Sequence, residues 1–74
     1  MSEFNKLLGA NLRDARKSSG LSLRDVTKET HGEFKGSVLG AYERGERAIT
    51  VERLDRLCLY YQIHPVSVIP HAGP

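Results

Sequence analysis

Apolar residues recur at Phe4, Leu8, Leu12 and Ala15, with Leu7 beside them, a spacing of i, i+4, i+8, i+11. That spacing predicts an amphipathic helix over residues 3–19 with one buried stripe. Ser2 is placed to cap its start and Gly20 its end, and Lys17 lies where the helix dipole favours a cation. Ser22 to Asp25 has the form S-x-x-D, a capping-box start with Asp in place of the usual Glu. The helix that follows is expected to bury Leu23 in part and Val26 more fully, and to fray near Thr30-His31-Gly32. Gly32 supplies the backbone freedom for a turn. Phe34 then anchors a helix over about residues 35–44, with Leu39 and Tyr42 on its core face.

Thr50 is placed to cap a further helix over residues 51–61, with Leu54, Leu57, Cys58 and Tyr61 as its inner stripe. Pro65 stands at a favoured first position for a last short helical turn, in which Val66, Val68 and Ile69 close the core before Pro70 ends it. The pattern predicts an all-α fold of five helices in one domain, residues 1–70. Residues 71–74 read as a flexible tail or the start of a linker.

Two short helices joined by a tight turn, with basic residues around the second, follow the plan of a helix-turn-helix. In that plan the second helix enters the DNA major groove. The outward face of residues 35–44 carries Lys35, Gly36, Ser37, Gly40, Ala41 and Arg44, with Val38 at its boundary. Glycines at i and i+4 in so short a helix cost roughly 1 kcal/mol each relative to alanine. Small residues on one face let a helix approach another surface closely, either the floor of a DNA groove or a neighbouring helix.

Composition narrows the classes. A chain of 74 residues with 39% hydrophobic content supports one small core. No apolar run approaches the roughly 18 residues that span a membrane, and the amino terminus has no signal-like pattern. The single Cys58 excludes an intrachain disulfide and suits a small buried apolar position. These features read as cytoplasmic. The formal charge of +2 is too mild to argue for nucleic acid, so local placement of the cations must decide. Arg13 and Lys17 read equally as a solvated basic face or as part of a binding surface.

The string L-S-L-R-D-V, a glycine turn, and then Y-E-R-G-E-R-A-I-T-V-E-R-L-D-R-L resembles the lambda-repressor/Cro-like helix-turn-helix family, also called the xenobiotic-response-element type. The resemblance covers about residues 8–69. The G-A-N-L-R start, L-S-L, the longer turn and Y-E-R-G-E-R-A-I-T-V look most like the BldD-type developmental regulators of actinobacteria. The resemblance implies a five-helix domain that binds operator double-stranded DNA as a dimer, with repression the expected sign and the nucleoid the expected location. Alone the chain is expected to be a monomer, because no long apolar seam is left once the core is filled. It implies a structural ion pair between Arg16 and Glu43, where a fork-shaped guanidinium suits a carboxylate.

Base contacts are implied at Gly36, Ser37 and Ala41, where family members often carry long polar residues. Bidentate base readout needs Asn, Gln, Arg or Lys. Direct readout is therefore expected to be thin: Lys35, the Ser37 hydroxyl, and methyl groups of Val38 and Ala41 facing thymine methyls. Phosphate contacts are implied at the start of the second helix, from Ser22 and Arg24, and around Gly45, from Arg44 and Arg47. The turn after Gly32 is one residue longer than the common family spacing, which gives Lys35 a larger part. BldD regulators carry a second domain that binds cyclic di-GMP, and nothing of it stands in this sequence, so the chain reads as a DNA-binding fragment or as a minimal homologue.

An enzyme is not expected. His31, His64 and His71 share no spacing that gathers them, and no nucleophile, P-loop or paired-carboxylate motif is present. Cys58 and the histidines fit no metal-ligand pattern, and no cofactor is expected. The rival reading is a protein-interaction or antitoxin-like module, with Phe4, Ile49 and Tyr60 as exposed apolar surface.

Overall fold

The computed structural model describes residues 2–70, so the tail expected at 71–74 lies outside the described residues. Four α-helices follow in order: α1, Glu3–Ser18; α2, Leu23–Glu29; α3, Gly36–Glu43; and α4, Val51–Tyr61. A 3-10 turn, Pro65–Ser67, follows α4. Three of the helices start where a side-chain oxygen satisfies a free first-turn N–H. Ser2 Oγ accepts from Asn5 N at 3.0 Å, and Thr50 Oγ1 accepts from Arg53 N at 3.2 Å. Ser22 Oγ accepts from Asp25 N while Asp25 Oδ2 accepts from Ser22 N, the reciprocal capping box. That pairing with Ser22 holds the Asp25 carboxyl below the usual carboxylate range.

The core is one cluster. Leu8 and Leu12 of α1, Val26 of α2, Leu39 and Tyr42 of α3, and the α4 stripe Leu54, Leu57, Cys58 and Tyr61 close around Phe34. Burying side chains of this size contributes about 1.5–3 kcal/mol each, the main term holding a chain this small together. Cys58 is fully buried, which pushes its thiol pKa up. No helix among the described residues is long and apolar enough to cross a membrane.

The turn between α2 and α3 is fixed by two threonines. Thr27 Oγ1 reaches the Phe34 carbonyl at 3.0 Å, and Thr30 Oγ1 accepts from Phe34 N at 3.3 Å while donating to Val26 O at 2.7 Å. His31 and Gly32 take positive φ angles of 53° and 82° to turn the chain between them. Phe34, 2% exposed, is thereby driven into the core, and α3 starts two residues later.

Two sequence expectations about the extent of the elements and their core faces need correction. The fifth helix is only the three-residue 3-10 turn Pro65–Ser67. Its bonds run from Ser67 N to His64 O and from Val68 N to Pro65 O, and Pro70 lacks the N–H that would extend it. Val68 alone plugs the core, tied by Asn11 Nδ2 to its carbonyl at 2.8 Å, while Val66 and Ile69 are exposed. The second correction concerns the α1 stripe. Phe4 and Leu7 are 48% and 47% exposed, and the buried line runs instead through Leu8, Gly9, Leu12 and Arg16. α1 meets the carboxyl end of α3 at Gly9 and the Gly45 loop at Lys6, so its first turn projects past the end of α3.

Candidate nucleic-acid interface

α3 begins at Lys35, which has extended backbone (φ −70°, ψ 140°) and makes no side-chain cap hydrogen bond. Its first turn therefore presents the N–H groups of Gly36, Ser37 and Val38 at the positive end of the helix dipole. Lys35 and Ser37 are exposed, and Val38 and Ala41 are half-buried beside them. These residues make one short surface with a cation, a hydroxyl and methyl groups.

The two α3 glycines do not belong to that surface. Gly40 is buried, and a methyl carbon there would meet Leu23 Cδ1 at 3.6 Å and the guanidinium tip of Arg44 at 3.0 Å. Gly36 faces Thr27 Oγ1 at 3.5 Å and Leu23 Cβ at 3.6 Å. Both therefore face α2 at ordinary contact distance, and the groove-floor reading of Gly36 and Gly40 is corrected on that ground: the side of α3 they occupy is turned toward α2. Gly36 retains only its backbone N–H on the outer side.

Behind this surface, Arg16 and Glu43 form a buried, two-pronged ion pair. Arg16 Nε donates to Glu43 Oε2 at 2.7 Å, and Arg16 Nη2 donates to Glu43 Oε1 at 3.0 Å. The remaining terminal nitrogen, Nη1, donates to Leu21 O at 2.8 Å. One guanidinium thus ties α1, the α3 carboxyl end and the link into α2 together, and hydrogen bonding to Glu43 raises its already high pKa further.

Clefts open on both flanks of α3. One, about 250 Å³, lies toward α2 and is bordered by Arg13, Leu23, Arg44 and the paired Arg16 and Glu43. The other, about 410 Å³, lies toward α4 and is bordered by Glu33, Lys35, Val38, Arg47, Thr50 and Arg53. Arg44 pairs with Glu46 at 3.0 Å through Nε only, and both side chains are at least half exposed, so the pair holds Arg44 weakly. Ser22 and Arg24 stand exposed at the start of α2. The Ser22 oxygen and N–H are engaged in the capping box, which leaves its hydroxyl proton as the group free to donate outward.

Arg13, which the sequence left between a solvated face and a binding surface, borders the α2-side cleft, and Arg53 is a cleft residue that the sequence pattern did not single out. Arg53 stands in the first turn of α4, where the helix dipole disfavours a cation, and that misplacement was a readable signal. Arg53 Nε donates to Tyr42 Oη at 3.1 Å, its Nη2 donates to Glu33 O at 3.1 Å, and its guanidinium lies 4.7 Å from the Phe34 ring centroid. Arg56 meanwhile grips both carboxylate oxygens of Glu33 and holds that carboxyl below its ordinary range. Tyr60 donates to Glu29 Oε1 at 2.5 Å, and burial with that bond pushes its phenol up to about 12. The α2–α3 turn is thus strapped to α4 from both sides.

A helix pair with a locked turn, an exposed second helix and cation-lined flanks defines a helix-turn-helix domain. The chain belongs to that family: the helix-turn-helix domain profile matches residues 7–68. Within it, the chain is similar to the crystal structure of the DNA-binding domain of BldD, with 44% identity and a TM-score of 0.91 over 95% of this chain and 99% of that one. It is also similar to the S. venezulae BldD DNA-binding domain, with 45% identity and a TM-score of 0.90 over 93% of this chain and 100% of that one. No curated protein sequence gives a significant match.

Proposed function

We propose that this domain binds double-stranded DNA sequence-specifically, as the DNA-binding domain of a bacterial transcriptional regulator. The observation that carries the reading is the pair of cation-lined clefts on either flank of the exposed face of α3. A helix seated in a major groove has a phosphate strand on each side, and this arrangement offers arginines to both. The similarity to two BldD DNA-binding domains supports the same reading.

In this reading Lys35 and Ser37 face base edges, and Val38 and Ala41 set methyl groups against thymine methyls. Arg44 and Arg24, with the Ser22 hydroxyl, hold one backbone, and Arg47 holds the other. Direct readout is thin, so DNA shape and backbone contacts carry a large share of selectivity. Repression is the expected sign, the cytoplasmic nucleoid the expected location, and two copies on a pseudo-palindrome the expected assembly. Residues 1–70 are the proposed binding unit.

The test compares Arg44→Ala with Lys35→Ala on a preferred duplex and on random duplex at fixed salt. Arg44→Ala is expected to weaken both equally. Lys35→Ala is expected to weaken the preferred duplex by an additional factor of about ten, from roughly 1–3 kcal/mol of base discrimination. Equal losses on both duplexes for both variants would remove Lys35 from base recognition. The protein-interaction reading has one supporting feature, the exposed Phe4 and Leu7. Ile49 and Tyr60 do not extend that feature, because both pack partly against the core.

A further inference from the structure

We infer that Arg53 is a DNA-backbone contact, held in advance in the cleft between the starts of α3 and α4. The inference rests on the duplex-binding reading above and adds a residue to it. Lys35, Arg47 and Arg53 border this cleft together with one acid, Glu33. Both carboxylate oxygens of Glu33 are engaged by Arg56, so it offsets little of the charge of the three cations. A phosphate group is the ligand whose charge and acceptor oxygens fit such a site: with Nε and Nη2 engaged, Arg53 offers its free Nη1 end to an anionic oxygen beside the Lys35 and Arg47 cations.

Arg53 differs from the other cleft cations in being fixed. The bonds to Tyr42 Oη and Glu33 O and the stacking over Phe34 hold its plane, and Nη1 has no partner among the described residues. A long side chain ordinarily loses rotamer freedom when it captures a ligand, and here much of that ordering has already occurred. Because the same bonds hold Tyr42 of α3 and the turn before it, the phosphate contact is registered to the recognition helix. Thr50, the residue that caps α4, stands along the same wall.

The experiment is a salt titration of duplex affinity for the wild-type chain, Arg53→Gln and Arg53→Lys, with helix content checked for each. Arg53→Gln is expected to flatten the plot of log affinity against log salt by about one unit of slope, equally on preferred and random duplexes. Arg53→Lys, which keeps the charge, is expected to restore most of the slope. Weaker binding with an unchanged slope would mean that Arg53 only braces the turn, and would overturn the assignment. Should Arg53→Gln unfold, the wild-type Arg53 Nε–H nuclear magnetic resonance signal decides. A shift on adding duplex is expected, larger than any that inorganic phosphate produces at the same ionic strength. No shift with duplex overturns the inference. Absence of salt-dependent duplex binding by the wild-type chain would instead defeat the duplex reading itself.

Discussion

Replacing Gly9 with alanine would put a methyl carbon 2.3 Å from the carbonyl oxygen of Tyr42 and 2.6 Å from that of Glu43. Both neighbours are backbone, so relief requires moving α1 away from α3. At Gly40 the tightest neighbour is the tip of a flexible arginine at 3.0 Å, which can swing aside. Gly9→Ala is expected to destabilise the domain by roughly 2–3 kcal/mol, an overpacking cost. Gly40→Ala is expected to leave stability unchanged or raise it by up to about 1 kcal/mol through helix propensity. Urea unfolding of the two variants measures both, and equal effects would contradict the assigned packing. Neither role was legible in the sequence. A pair of glycines at i and i+4 announces that something comes close without saying what, and Gly9 inside an ordinary helical run announces nothing. The face of a glycine is known only from its neighbours.

Among the elements, the docking of α1 on α3 depends on Arg16 and Glu43. Each lies within the last turns of its helix, and their side chains are 9% and 5% exposed. Removing one charge leaves the other buried without its partner, which costs about 3–5 kcal/mol. Glu43→Gln is therefore expected to lower stability by roughly 3 kcal/mol, much of what a domain this size possesses. Replacing both, as R16M/E43L, is expected to recover a large part of the loss, because the desolvation of both charges is removed with their attraction. A double variant no more stable than Glu43→Gln would assign the loss to something other than an orphaned charge.

The helices themselves were largely legible, because capping side chains and 3.6-residue spacing act locally. Ser2, Ser22 and Thr50 each mark a start, and the α4 stripe from Leu54 to Tyr61 is buried as its spacing requires. The misreadings came where local pattern meets a tertiary limit. Phe4 and Leu7 continue the α1 stripe but have no α3 beneath them, and Val66 and Ile69 flank a turn too short to bury more than Val68. Arg53 was missed because its partners, Tyr42 and the Glu33 carbonyl, lie 11 and 20 residues away.

For the molecule as a whole, a net charge of +2 conveys almost nothing, while the position of the charge conveys a great deal. Glu33, Glu43 and Glu46 are paired with arginines, and Arg13, Arg47 and Lys35 border the clefts on the two flanks of α3. The sum cancels what the arrangement separates. One domain presents one short helix, and the few side chains that can read bases leave little selectivity to a single copy. Two copies on an inverted repeat would double those contacts and fix their spacing. Selection from a randomised duplex library, with the winner titrated at two salt concentrations, is the measurement to make. An enriched inverted repeat with half-sites about one helical turn apart, bound much more weakly at the higher salt, is the expected result. No duplex binding at either salt would contradict DNA recognition by α3.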